Sequence, residues 1–379
     1  LLSMRRKSVV FIFVFFTLMA QAVKVNVQNA VDFVQPLMGS DSDHGLSTGN
    51  TYPAIAMPWG MNFWVPQTGK MGDGWQYTYA AKKIRGLKQT HQPSPWINDY
   101  GQFSLMPVVG KPVFDEEQRA SWFSHKAEKA TPYYYSVYLA DYDVTAELCP
   151  TERAALMAFT FPKTDSAHVV IDAFDKGSYI KILPDQRKVV GFSTRNSGGV
   201  PANFRNYFVI EFDHDFDAVL SVKDGEYQEG HEQEGNHVGA IISFKIGKRG
   251  EKVQARVASS FISEEQAWQN IQELGQADME QLCQQGRNRW NEVLGKIEVE
   301  DENIDHLRTF YSCLYRSVLF PRAFYEKNSA GEIVHYSPYN GTIQKGYMFT
   351  DTGFWDTFRC LFPLLNLMYP SVNEKIQDG

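Results

Sequence analysis

Cysteine is scarce: four residues, Cys149, Cys283, Cys313 and Cys360, in a chain of 379. That excludes a small scaffold stapled by disulfides, which needs dense cysteine to replace a core. No spacing among the four suggests a pairing, and they read as buried thiols. Basic charge is also lacking. There are 37 Lys and Arg against 44 Asp and Glu, a net charge of −7. A nucleic-acid binder needs a cationic footprint to neutralise phosphates, so that class is disfavoured. No apolar run is long enough to span a bilayer. Residues 8–20 are apolar, but a spanning helix needs ~20 residues. Several catalytic signatures are missing too. Gly341 and Gly346 have phosphate-loop spacing, but Tyr347 stands where Lys is required. GxSxG, HExxH and CxxC do not occur.

What is present is a globular composition, 43% hydrophobic and 21% charged, unusually rich in aromatics at 14%. Arg5, Arg6 and Lys7, the apolar run and Ala20-Gln21-Ala22 form the three regions of an export signal, cleaved after Ala22. Leu1, Leu2 and Ser3 ahead of Met4 look like over-reading of an open frame. Removing three basic residues leaves 34 − 44 = −10. The expectation is an exported, periplasmic or secreted, acidic protein with no transmembrane segment.

Residues 23–262 read as strands. Runs at 133–148, 154–161, 168–174, 207–212, 239–246 and 252–262 are β-branched or aromatic, several with period two. Turn residues separate them, as at Ser197-Gly198-Gly199 and Lys223-Asp224-Gly225. Many strands without intervening helices predict a large antiparallel β-sandwich. The pattern then changes to steps of three and four. Ser263, Glu264, Glu265 and Gln266 open a helix predicted to run to about residue 292, with a break near Gly275. Another starts at Asp301, and a third covers 352–367, interrupted at Pro363. Residues 263–299 are a helical linker. Residues 300–379 begin a helical domain that stops after two helices, so Gly379 does not look like a natural end.

Residues 39–101 hold Trp59, Trp64, Trp75 and Trp96 with His91 and Asp99 among Gly and Pro. Flat sugar faces stack on aromatic rings, and sugar hydroxyls need planar polar partners, so such loops suit carbohydrate. Core filling explains the same tryptophans and is the stronger reading on composition alone. Asp41, Asp43 and His44 fit a hydrogen-bonded turn better than a metal loop. Asn340-Gly341-Thr342 matches a glycosylation acceptor, a frequent chance match. At residues 351–359, Asp356 and Arg359 share a helix face among Phe354, Trp355 and Phe358. A partly buried carboxylate beside a Trp suggests a ligand site.

In order, the chain carries Pro36-Leu-Met-Gly-Ser-Asp41, Gly49-Asn-Thr-Tyr-Pro53, Pro58-Trp-Gly-Met61, Gly74-Trp-Gln-Tyr77, Gly86-Leu-Lys-Gln-Thr-His91, Asp99-Tyr-Gly101 and Trp355-Asp-Thr-Phe-Arg359. From about Val31 onward this resembles the N-terminal part of an exported α-mannosidase of glycoside hydrolase family 92. The resemblance implies a β-sandwich followed by an (α/α)6 barrel, of which only the start is present. It implies inverting, calcium-dependent release of terminal mannose from α-mannosides or N-glycans. It assigns sugar contacts to Asp356, Trp355 and Arg359. It places Gly49 and Asn50 on a loop entering the site, and has His91, Trp96 and Trp75 shape the pocket. Ser40, Gln76 and Gln89 depart from the pattern at positions expected to border the pocket. The catalytic carboxylates and most calcium ligands fall beyond this chain, which implies that the 379-residue piece is inactive alone. The competing expectation is a non-catalytic carbohydrate-binding β-sandwich protein. A sandwich-plus-barrel glycoside phosphorylase is a third.

Overall fold

The computed structural model describes residues 29–41, 51–97 and 99–379. The expected export signal, Asp43, His44, Gly49 and Asn50 lie outside the described residues.

Two antiparallel sheets pack face to face. One has seven strands in the spatial order Phe63–Gln67, Gly86–Thr90, Phe103–Val109, Thr164–Asp172, Val238–Ile246, Ala218–Lys223, Glu226–Gln228. The other has nine, running from Glu232–Gly235 at one edge through Asn206–Phe212 and Glu251–Ser260 to Glu128–Thr131 at the other. Period two decides which side chains enter the core. In Ser178–Leu183 burial alternates residue by residue, so Ile180 and Ile182 point inward and Lys181 outward. The run at 133–148 is two strands, Tyr134–Leu139 and Val144–Pro150, joined by a turn in which Asp143 takes φ +51°.

Phe63–Gln67 is buried on both faces, and its register shows why. Trp64 enters the sandwich core, where it meets Phe103 edge to face at 5.7 Å. Phe63 points the other way, into a cluster with Trp290, Leu307, Tyr311 and Leu365. This strand is therefore shared between sandwich and helices. So is the N-terminal segment: Ala30, Val31 and Val34, and later Ala54 and Ala56, pack into the helical cluster rather than between the sheets.

The predicted first helix is two. α1 (Glu264–Asn270) is capped by Ser263, whose side chain accepts from the Gln266 N–H at 3.1 Å. A 3-10 turn leads to Gly275 at φ +53°, which stops it. α2 (Met279–Leu294) restarts with a capping box between Asp278 and Gln281. It buries Leu282, Gly286, Trp290, Val293 and Leu294, a stripe with helical spacing. α3 (Ile304–Ser317) is capped by Asn303 rather than Asp301. The third predicted helix is also divided. α4 (Phe354–Thr357) is one turn, α5 (Leu361–Met368) follows, and α6 (Pro370–Asp378) closes the chain. The break precedes Pro363, which sits in the first turn of α5 where no N–H partner is lost.

Between α3 and α4 lies a β excursion that helical periodicity did not reveal. Arg322–Ala323 pairs with Phe349–Thr350, and Glu326–Lys327, Ile333–Tyr336 and Ile343–Lys345 form a small sheet. It is anchored by Glu326, whose buried carboxylate accepts from the Phe261 N–H (2.9 Å) and Asn270 Nδ2 (2.6 Å).

The reading of four buried thiols is incorrect. Cys149, on a sandwich strand, is disulfide-bonded to Cys283 of α2 with Cα atoms 6.0 Å apart, and Cys313 and Cys360 are exposed. Folding alone brings together thiols separated by 134 residues. No helix among the described residues is long and apolar enough to cross a membrane.

Candidate functional site

Strand Gly86–Thr90, hydrogen-bonded on both edges by Phe63–Gln67 and Phe103–Val109, is buried throughout. It carries a buried lysine, Lys88, whose charge needs a partner. Lys88 Nζ lies 2.9 Å from Asp99 Oδ2. Asp99 also accepts from Thr90 Oγ1 and from the N–H groups of His91 and Tyr100, each at 2.8 Å. Burial opposes its ionisation, but the Lys88 charge and these donors outweigh burial and hold the carboxyl below its usual range.

His91 follows directly. It is 1% exposed, and its ring nitrogens are taken up by the Tyr100 carbonyl (2.8 Å) and the Asn62 side-chain amide (2.9 Å). Burial, then the nearby Arg322 charge, push its pKa down to about 3. His91 therefore supports the loop and presents no face to a ligand, unlike the lining role expected for it. The departures from the family pattern are internal as well. Gln89 donates to Gly101 O and Asn206 Oδ1, Gln76 donates to Thr90 Oγ1, and Ser40 donates to Leu37 O. All three are buried and do not border open space.

The four tryptophans divide evenly. Trp59 and Trp64 fill cores. Trp75 and Trp96 form an edge-to-face pair with centroids 5.6 Å apart, and Trp96 is 60% exposed. Gln92 braces this loop by donating to Gly74 O at 3.0 Å.

The 355–359 segment is open surface. α4 is a single turn off Gly353, closed by the Asp356 and Thr357 N–H groups donating to Gly353 O. Trp355 is 72% exposed, and Asp356 is exposed rather than partly buried as expected. The Arg359 guanidinium lies over the rings of Trp355 (5.1 Å) and Phe358 (4.6 Å), which limits where it can point. The result is a carboxylate, a ring face and a stacked guanidinium on one short turn.

Arg322 and Asp351 were not among the expected site residues. Arg322 is fully buried and donates to Thr90 O (3.2 Å), His91 O (2.6 Å), Tyr100 Oη (3.1 Å) and the Asp351 carboxylate. The signal available was a single charge inside the apolar run Phe320-Pro321-Arg322-Ala323-Phe324, which a core tolerates only when paired.

Calcium requires roughly six to eight oxygen ligands. Among the described residues, no group of three or more His, Cys, Asp or Glu could hold an ion. The described residues do not by themselves make a calcium site. A cavity of about 530 Å³, lined in part by Arg153, Asn270, Glu273 and Lys327, contains none of the expected site residues.

Comparison with known proteins agrees with this architecture. The glycosyl hydrolase family 92 N-terminal domain matches residues 33–260, and the family 92 catalytic domain matches residues 266–379. The family GH92 inverting mannosidase of Bacteroides thetaiotaomicron VPI-5482 is 48% identical with a TM-score of 0.89, over 92% of this chain and 47% of that one. A second family GH92 α-mannosidase from Bacteroides thetaiotaomicron is 26% identical with a TM-score of 0.80, over 92% and 49%. That enzyme has also been solved in complex with mannoimidazole. An uncharacterized secreted glycosidase of Arthroderma benhamiae is 24% identical over 330 residues, 78% of this chain and 42% of the relative. The chain thus spans less than half the length of each of these relatives. With both domains of the family matched in order across the sandwich and the helices, the chain belongs to glycosyl hydrolase family 92.

Proposed function

We propose that this chain carries the sugar-recognition half of an exported exo-α-mannosidase that inverts the anomeric carbon. The observation that carries the reading is 48% identity to an inverting mannosidase across 92% of the chain. The Trp355-to-Arg359 turn has the chemistry to serve it. The Asp356 carboxylate accepts from hydroxyls of a terminal mannose, the Trp355 face covers its C–H side, and Arg359, held against Trp355, donates. Trp75 and Trp96 supply a second aromatic surface. Inversion needs an acid and a base ~6.5–9.5 Å apart, with water between base and sugar. Asp351 is committed to Arg322 and Tyr100. The acid, the base and any calcium ligands are proposed to lie in the part of the relatives that this chain does not span. Export is part of the proposal, supported by residues 1–22 and by a relative described as secreted.

The test is proton NMR of α-mannoside hydrolysis by the complete gene product. β-Mannose as the first-formed sugar is expected, and α-mannose or no release would overturn the reading. The 379-residue chain alone is expected to release no mannose. Binding of mannose by this chain with no hydrolysis by the complete protein would favour the carbohydrate-binding alternative, which the exposed Trp96 also suits.

A further inference from the structure

Asp351 occupies an unusual place. It is a non-glycine residue at φ +60°, a left-handed conformation that costs energy unless neighbours impose it. Three features impose it. Thr350 pairs directly across from Arg322, which delivers Asp351 beside the Arg322 side chain. The Asp351 carboxylate meets the Arg322 guanidinium, and Asp351 Oδ2 accepts from Tyr100 Oη at 2.7 Å. Arg322 is itself immobile. Its guanidinium sits among the rings of Phe63 (5.1 Å), Tyr100 (5.5 Å) and Phe320 (6.0 Å) and holds two carbonyls of the Thr90–His91 backbone. Tyr100 is fixed by its N–H on Asp99 and by its carbonyl and ring on His91. Two residues after Asp351 comes Gly353, from which the α4 turn bearing Trp355 and Asp356 departs.

We infer that Arg322, Asp351 and Tyr100 form a positioning clamp that sets the direction of the Trp355–Asp356 turn from the sandwich loop around His91. The three touch no sugar themselves; they act through Asp356. A rigid, buried ion pair at the root of a surface turn converts the order of the sandwich into a fixed orientation of the sugar-binding carboxylate, and small misplacements of such groups are costly. The inference rests on the proposed sugar-binding role of the 355–359 turn.

Two mild variants test it, because removing Arg322 would strand a buried carboxylate and risk the fold. Asp351→Asn keeps the shape and removes the charge; Tyr100→Phe removes one hydroxyl. The first measurement is hydrogen exchange on the 379-residue chain. Residues 351–360 should exchange at least about tenfold faster in both variants, with residues 86–90 unchanged. Unchanged exchange at 351–360 overturns the clamp whatever the substrate. The second is a cycle on the complete gene product with an aryl α-mannoside. Asp351→Asn should lower kcat/KM by about 10- to 100-fold. Asp351→Asn combined with Asp356→Ala should be no worse than Asp356→Ala alone. Additive losses would mean a separate structural role and overturn it. If the wild-type complete protein neither cleaves α-mannosides nor binds mannoimidazole, the mannosidase reading falls and the exchange result alone decides the clamp.

Discussion

Tyr100 Oη donates to Asp351 Oδ2 at 2.7 Å across 251 residues of sequence. One partner belongs to the loop between two sandwich strands, the other to the turn before α4. That single bond, with Arg322 beside it, joins the aromatic loops of the sandwich to the turn that carries Trp355, Asp356 and Arg359. The sandwich loop that carries Tyr100 and the turn before α4 are thereby bonded directly to each other.

Removing the exposed carboxylate should separate binding from folding. Asp356 is exposed, so Asp356→Ala should leave the melting temperature of the complete protein within about 2 °C, as expected of a surface change. Its kcat/KM on α-mannosides should fall by about 100-fold or more, as expected for a lost charged hydrogen bond in a transition state. Near-wild-type turnover would remove Asp356 from the site.

The disulfide predicts a thiol count. Native chain, unreduced, should titrate two thiols, Cys313 and Cys360, and four after unfolding in reductant. Closing a loop this long restricts the unfolded chain strongly, so Cys283→Ser should lose roughly 2–5 kcal/mol of stability in urea titrations. Four reactive thiols in the native oxidised protein would refute the pairing.

Gly286 tests close packing of α2. A Cβ there would lie 2.7 Å from Tyr133 Cβ and 3.0 Å from Met57 Cε. Alanine improves helix propensity by up to ~1 kcal/mol. Overpacking costs about 1–3 kcal/mol, and the near atom is a side-chain stem that moves only with its backbone. Gly286→Ala should therefore lower the melting temperature; a rise would show that α2 and the Tyr133 segment separate easily.

His91 makes a pH prediction with a definite sign. Its folded pKa is about 3 against an ordinary 6.5, so between those values the unfolded chain binds a proton that the native chain refuses. Stability is then present at neutral pH and falls as pH drops below about 6.5. Linkage gives about 2 kcal/mol lost from this group between pH 7 and pH 5. His237, whose pKa is raised despite burial by its bond to Asp172, contributes in the opposite direction. The measurement is accordingly a difference: His91→Gln should reduce the pH 7-to-5 stability loss by about 2 kcal/mol, consistent with that linkage. An identical slope in both proteins would contradict a neutral buried His91.

Much of the architecture is legible in local pattern. Period-two runs locate strands such as Asn206–Phe212 and Glu251–Ser260 to within a residue or two, because a half-covered sheet must alternate. The stop at Gly275 is legible because few other residues adopt that backbone. The β excursion after α3 is not, since its strands are two to four residues long and show no period. Nor does composition distinguish Trp59 and Trp64, which fill cores, from Trp75 and Trp96, which form a partly open pair. All four have the same side chain, and only the packing around each decides its exposure.

The sequence by itself determined the two-part order of strands then helices, the Ser263 cap of α1 and the motif series that identifies the family. Each of these is written in neighbours a few positions apart. Tertiary structure alone decided that Cys149 meets Cys283, that Gln76, Gln89 and Ser40 face inward, and that Arg322 joins Thr90, His91, Tyr100 and Asp351. Apart from the local Ser40 bond to Leu37, those encounters span many residues of chain, and the free energy that selects them comes from burying both faces of shared strands, a quantity no local window contains.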